Sequence, residues 1–232
     1  MNTNEAIKEI FSLLESGADS NYFGEKVSQL DHSLQAAHLA KLFLEKRTDA
    51  ILKKVECQEI LVPYNIKPIF SKMIKEYISH IKPENFNVII ITSLLHDIGH
   101  RLNSENLRYS KTKFGVTKHE ILGAKYLQDL GFSETIWTPI KLHIQAKHYL
   151  IKTIPGYKEA LSSGSTGSWR YQKKSVEESD LQAFQKNPFY YESLLIRAID
   201  DSAKTPGLKV PGLEDYRNLI FSVLENQHTN CK

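Results

Sequence analysis

Residues 94–100 read LLHDIGH, an apolar run that ends on His96, Asp97 and His100. Adjacent imidazole and carboxylate groups at the end of a buried segment are unfavourable unless a cation or a hydrogen-bond partner holds them. A helix end with Asp97 exposed and His96 hydrogen-bonded would account for them; so would a metal site, which needs partners elsewhere. His32 in QLDHSLQ, His119 in TKHEILG, His143 in KLHIQAK and Asp200 in RAIDDSAK are such partners. Imidazoles with carboxylates suit iron, manganese or zinc, and a carboxylate beside an imidazole can bridge two metals. The other histidines, His38, His80, His148 and His228, read as surface or satisfied core residues. The alternative for the whole set is unrelated residues on helix surfaces.

The elements that must position this set read mostly as helices, so the expected fold class is all-α. Helices are expected over roughly residues 3–16 and 25–46, the latter with Val27, Leu30, Leu34, Ala37 and Leu42 at helical spacing. DAILKKVECQEILV and PIFSKMIKEYISHI are further helices, and Pro83 opens the one that ends in LLHDIGH. The isoleucines at 89–91 read as helix because the run continues to Leu95 without a turn signal, and Gly99 is expected to let the chain turn. TKHEILGAKYLQDLG begins with a candidate Thr117 cap, and SETIWTPIKLHIQAKHYL has Ser133 as a candidate cap and Pro139 inside. Residues 155–175, rich in Gly and Ser, read as a long loop, after which helices return to the end of the chain. A helical bundle of this order converges its ligands on one interior point. Lys147 lies four residues after His143 and Arg197 three before Asp200, so each can share a face with its ligand and build an anion pocket beside the metals.

The chain of 232 residues, 41% hydrophobic, suits a single domain over residues 1–232. With 30 basic and 27 acidic residues the net charge is +3, too mild a bias to argue for nucleic acid. Cys57 and Cys231 form no ligand cluster. No basic-then-apolar leader opens MNTNEAIKEIF, and VIIITSLL is too short to span a bilayer. A cytoplasmic protein with no membrane partner is expected, either a monomer or a homodimer.

The series His32, His96–Asp97, His119, His143, Asp200 resembles the HD-domain superfamily in its dinuclear form. Most of that superfamily are metal-dependent phosphohydrolases. A smaller branch holds mixed-valent diiron oxygenases: the enzymes that cleave C–P bonds in organophosphonates and, more distantly, myo-inositol oxygenase. NYFGEKVSQLDHSLQAAHLA resembles the N-terminal signature of this branch, with Tyr22, Glu25 and Gln29 before ligand His32. HIQAKHYL, LLIRAIDDSAK and PGLEDYRNLI are similar to its later segments. The match covers nearly the whole chain outside 45–85.

The resemblance implies an HD-domain helical bundle and two iron ions in the Fe(II)/Fe(III) state with dioxygen as co-substrate. One iron would be held by His32, His96, Asp97 and Asp200, the other by Asp97, His119 and His143. Tyr22 would fill the open position until substrate displaces it, with Glu25 close by to position an amine or hydroxyl. His100 would hydrogen-bond substrate or metal-bound oxygen. Gln29, Lys147, Ser165, Ser168 and Arg197 would contact a hydroxylated, possibly amino-hydroxy, anionic small molecule, whose C–C or C–P bond is cleaved oxidatively. Two departures accompany the match. The interval from His32 to His96 is longer than in phosphonate-cleaving relatives, which implies a helical insertion around 45–85. WRYQKKS stands where those relatives carry a Gly-Gly-Pro-Met-type segment, so Trp169, Arg170 and Tyr171 alter the pocket wall. The anion is therefore open among phosphonate, carboxylate, sulfonate and phosphate. Two other readings use the same residues. One is an HD phosphohydrolase acting on a phosphomonoester, nucleotide or phosphodiester. The other is a binding module with a relic metal site.

Overall fold

The computed structural model of the chain describes residues 2–19, 22–50, 66–102, 111–112, 114–172 and 177–229. In order, its α-helices are α1 (Thr3–Glu15), α2 (Gln29–Ala50), α3 (Pro68–Ile78), α4 (Phe86–Leu95), α5 (His119–Asp129) and α6 (Glu134–Thr153). There follow α7 (Tyr157–Ala160), α8 (Ser163–Gln172), α9 (Glu178–Gln185), α10 (Tyr190–Ser202) and α11 (Arg217–Thr229). A two-residue antiparallel ribbon, β1 (Lys111–Thr112) with β2 (Gly115–Val116), is the only strand pair among the described residues. The fold is all-α, as expected. Of the insertion expected at 45–85, residues 51–65 and with them Cys57 lie outside the described residues; α3 is helical. Cys231 also lies outside them. Among the described residues no helix is long and apolar enough to cross a membrane.

The isoleucine run forms helix α4, where Ile89, Ile90, Ile91, Leu94 and Leu95 are buried together with Thr92 and Ser93. A helix apolar on all sides belongs at the centre of a bundle. The Thr92 and Ser93 hydroxyls donate to the Val88 and Ile89 carbonyls, so their burial leaves no donor unpaired. Helices α2 and α6 flank α4, α5 packs on α6, and α10 packs on both α6 and α3.

Four local expectations are corrected. Helix α2 starts at Gln29 rather than near 25, because Phe23 (φ 38°) and Gly24 (φ 90°) turn the chain and the Ser28 hydroxyl accepts from the Asp31 amide at 2.9 Å. The residue capping α5 is Lys118, left-handed at φ 59°, rather than Thr117. Ser133 does precede α6, but its hydroxyl pairs with Thr135 instead of a helix amide. Residues 155–175 are not a long loop, since they contain α7 and α8. The Ser162 hydroxyl accepts from the Ser165 amide in the first turn of α8, and the glycines of this helix serve packing. A Cβ on Gly164 would lie 2.8 Å from the Phe23 carbonyl oxygen, and one on Gly167 would lie 2.2 Å from the Phe114 ring.

Candidate metal centre

Helix α4 ends at Leu95, and the next two residues carry the first half of the site. His96 continues in helical geometry and its Nδ1–H donates to the Ser93 carbonyl at 2.8 Å. Asp97 leaves the helix at φ −105°, ψ 11°, ahead of a single 3-10 turn over Ile98–Arg101. Gly99 is needed there for a close approach and not for a left-handed turn. A Cβ on it would fall 2.0 Å from the His119 carbonyl oxygen and 2.8 Å from the Gly123 amide nitrogen. That contact presses the 3-10 turn onto α5 and brings His119, the first residue of α5, to Asp97. His32 arrives from α2, His143 from α6 and Asp200 from α10.

The two oxygens of Asp97 face different pairs of imidazoles. Oδ2 lies 3.6 Å from His96 Nε2 and 3.7 Å from His32 Nε2. Oδ1 lies 3.3 Å from His119 Nε2 and 3.8 Å from His143 Nε2. Asp200 joins the first pair, with Oδ1 at 3.4 Å from His32 Nε2 and Oδ2 at 3.8 Å from His96 Nε2. All six side chains are buried.

The tautomers follow from the outer hydrogen bonds. Nδ1–H of His32 donates to the Ala203 carbonyl at 2.9 Å, that of His143 to Ile140 at 2.6 Å and that of His119 to Val116 at 3.3 Å, as His96 does to Ser93. In the neutral imidazole each Nε2 is then the lone-pair nitrogen, the form that binds a metal. Yet His32 Nε2 and His96 Nε2 stand 3.1 Å apart, and His119 Nε2 and His143 Nε2 3.2 Å apart. Two lone pairs facing each other at that distance repel unless a cation lies between them and the carboxylate. The donor set thus fits two divalent or trivalent ions sharing Asp97, with nitrogen and oxygen ligands that suit iron. Burial lowers the pKa of His96, and that of His143 far more, which keeps them neutral, whereas for His119 the facing Asp97 outweighs burial and raises it. Burial alone would raise Asp97, but positive charge at the facing His96, His119 and His100 holds its carboxyl well below the usual range, a charge that bound cations supply where the imidazoles are neutral.

His100 also lies close to Asp97, at 4.0 Å from Oδ1, and its ring stacks on His119 at 3.7 Å. Its tautomer is the reverse. Nδ1 accepts from the Val116 amide at 3.1 Å, so Nε2 carries the proton. That makes His100 a hydrogen-bond donor into the site rather than a ligand.

A cavity of about 30 Å³ adjoins the ligands, lined among others by Tyr22, Phe23, His100, Phe114, Lys147 and Ser168. Tyr22 reaches in from the turn before α2, stacks on His32 at 3.9 Å and donates to Asp97 Oδ2 at 2.8 Å. Burial, then Asp200 and Asp97, pushes its hydroxyl well above the ordinary value, so it is a neutral phenol here. Lys147 Nζ donates to Ser168 Oγ at 3.1 Å, and burial, then Arg197, lowers its pKa to about 7. Ser165 lines the cavity too, its hydroxyl donating to Asp201 Oδ1 at 3.3 Å. Glu25 packs under Gly164 with a buried Oε1 that has no hydrogen-bond partner. Gln29 is set apart: it is not among the cavity-lining residues, and its carbonyl accepts from Arg101. Arg197 lines the cavity but its guanidinium is bound to Asp200 and to both oxygens of Asp201. The carboxylates outweigh burial and hold it charged.

Sequence reasoning passed over Asp201, Lys204, Tyr157 and Phe114. Asp201 accepts from Tyr157 at 2.5 Å, and Lys204 reaches Asp200 Oδ1 at 3.4 Å and donates to Ser165 Oγ at 2.8 Å. The i+4 spacing of Lys204 from Asp200 was a usable signal; Tyr157 and Phe114 offered none.

Residues 29–183 match the model of the HD domain. The chain is 32% identical over 222 residues to a protein of Gimesia maris named hydroxymethylphosphonate dioxygenase, covering 96% of this chain and 90% of that one. It is 29% identical over 224 residues to an uncharacterized protein of Acanthamoeba polyphaga mimivirus, covering 97% and 84%. It is 26% identical over 225 residues to a Leisingera caerulea protein named as a glycine-betaine-forming [1-hydroxy-2-(trimethylamino)ethyl]phosphonate dioxygenase, covering 97% and 93%.

Proposed function

The chain belongs to the HD-domain family, and on that premise we propose that it is a single-domain, dioxygen-dependent diiron oxygenase that cleaves the C–P bond of a 1-hydroxyphosphonate. The observation that carries this reading is Asp97, whose two oxygens each face a pair of imidazole lone pairs. The names of two relatives support phosphonate over carboxylate, sulfonate or phosphate as the anion.

His32, His96, Asp97 and Asp200 would hold one iron, and Asp97, His119 and His143 the other. The mixed-valent pair, when bound, supplies Lewis acidity toward the substrate hydroxyl and the redox chemistry with dioxygen. The protein supplies placement. Protonated Lys147 and the Ser168 hydroxyl bind the phosphonate and fix the hydroxylated carbon relative to the centre. Tyr22 covers Asp97 until substrate enters, and His100 Nε2–H donates to substrate oxygen. The unpartnered Oε1 of Glu25, beside the cavity-lining Gly164, receives the substrate hydroxyl. Arg197, tied to Asp201 and Asp200, orients the Asp200 carboxylate and offsets its charge. For hydroxymethylphosphonate the balance is HOCH2PO3(2−) + O2 → HCOO(−) + HPO4(2−) + H(+), with carbon oxidised and dioxygen reduced.

The test loads the protein with iron under anaerobic conditions, oxidises it partly and adds hydroxymethylphosphonate. A coupled Fe(II)/Fe(III) EPR signal that shifts on addition, followed in air by equal uptake of dioxygen and release of phosphate, is expected. Phosphate release from phosphoesters without dioxygen uptake, and no mixed-valent signal, would replace this reading with phosphohydrolase.

A further inference from the structure

A cavity of about 30 Å³ lies beside the ligands. Its polar lining is accounted for by the ligands, Tyr22 and the anion-binding groups. The apolar remainder includes Phe23, Phe114 and Ile144, and a substituent on the hydroxylated carbon that stays inside the cavity rests against these. We propose that Phe114, seated on Gly167, sets the size limit of the substrate. The protein would then act on 1-hydroxyphosphonates whose reacting carbon bears hydrogen or a methyl group and would reject those bearing a bulky ammonium-alkyl arm. This rests on the oxygenase reading and narrows its substrate class.

Phe114 is fixed as a wall. A Cβ on Gly167 would come within 2.2 Å of its Cε1 and Cζ, so the ring lies directly on the α8 backbone. Gly115, at φ +96°, carries the ribbon tip over His100, with space for a Cβ blocked at 2.5 Å by His100 and 2.7 Å by Phe23. The tip is also tied by hydrogen bonds: the Phe114 amide donates to Thr112 Oγ1 at 3.1 Å, that hydroxyl donates to the Gly115 carbonyl at 3.0 Å, and the Val116 amide donates to His100. Phe23 packs on His100 at 4.5 Å beside it. Withdrawal of Tyr22 would free space at Asp97, but leave Phe114 in place.

Binding to iron-loaded protein without oxygen, measured by calorimetry, tests this with hydroxymethylphosphonate, 1-hydroxyethylphosphonate and 1-hydroxy-2-(trimethylamino)ethylphosphonate. The native protein is expected to prefer the two small ligands. In Phe114→Ala the preference over the trimethylamino ligand should shrink by about tenfold or more, the discrimination that one or two methylenes command in an apolar pocket. Gly167→Ala, which unseats the ring without altering it, should shrink it too. Melting curves identify which variants are folded, and Phe114→Leu stands in if the alanine variant is not. Equal native affinity for small and trimethylamino ligands, or an unmoved ratio in the folded variants, overturns the size role alone. Failure of all three phosphonates to bind overturns the oxygenase reading and this inference with it.

Discussion

Asp97 presents one oxygen to His32 and His96 and the other to His119 and His143, so one side chain would serve both halves of the proposed centre. Asp97→Ala is expected to lose both metals, measured as metal per chain after reconstitution; retention of two ions would remove the bridging role. His100 separates ligands from neighbours. Because its Nε2 is the protonated nitrogen, His100→Ala should keep both metals while turnover falls by roughly 10²–10³-fold, the effect of deleting a hydrogen bond to developing charge. Loss of an ion in that variant would make His100 a ligand after all. Lys147 carries a pH dependence. Burial, then Arg197, lowers it to about 7, against 10.5 when unperturbed. Anion capture needs the protonated form, so kcat/KM should fall as pH rises through about 7, and Lys147→Arg should move that limb to higher pH. For stability the sign is opposite: between about 7 and 10.5 the unfolded chain keeps a proton the folded chain has released, so this group favours folding as pH rises. At this scale the sequence was largely legible, because ligand types and their order along the chain are chemical properties of the residues. Gln29 shows the limit, since a motif position does not say which way a side chain faces.

Between elements, the decisive contact is backbone on backbone. Gly99 on the 3-10 turn meets the start of α5, and Gly123 returns the contact with a Cβ position 3.1 Å from the Gly99 nitrogen. Gly99→Ala should force α5 away and cost about 1–3 kcal/mol of stability, the usual penalty of overpacking. It should weaken the His119–His143 half more than the His32–His96 half. Thermal unfolding reads the first effect and metal titration the second; equal loss from both halves would refute a local role. Helix α8 carries the related lesson. Its Gly and Ser content reads as loop by propensity, yet Gly164 and Gly167 are there so that Phe23, Glu25 and Phe114 can approach. Propensity weighs each residue against solvent, whereas close packing weighs it against a partner distant in sequence.

The whole molecule is a bundle in which α2, α5, α6 and α10, with the end of α4, each deliver part of one centre. Metals bound only by the folded state should therefore raise its stability, by about 4 kcal/mol per site at a free concentration a thousand times Kd. The unfolding midpoint is expected to rise on iron loading and to drop again with a chelator, and Asp97→Ala should abolish the rise. A midpoint indifferent to metal would mean that the folded chain binds none, and would overturn the diiron reading.

The sequence by itself determined that the protein is helical, that an apolar helix ends on His96 and Asp97, and that four further candidate ligands lie on other helices. Those conclusions depend on periodicity and residue chemistry, which are local. Tertiary structure alone decided that Asp97 faces both imidazole pairs, that His100 is a donor, that Arg197 is held by Asp201, and that Phe114 lines the cavity. Each of these depends on which lone pair or ring face meets a group many residues away, and that direction is set by how the helices pack.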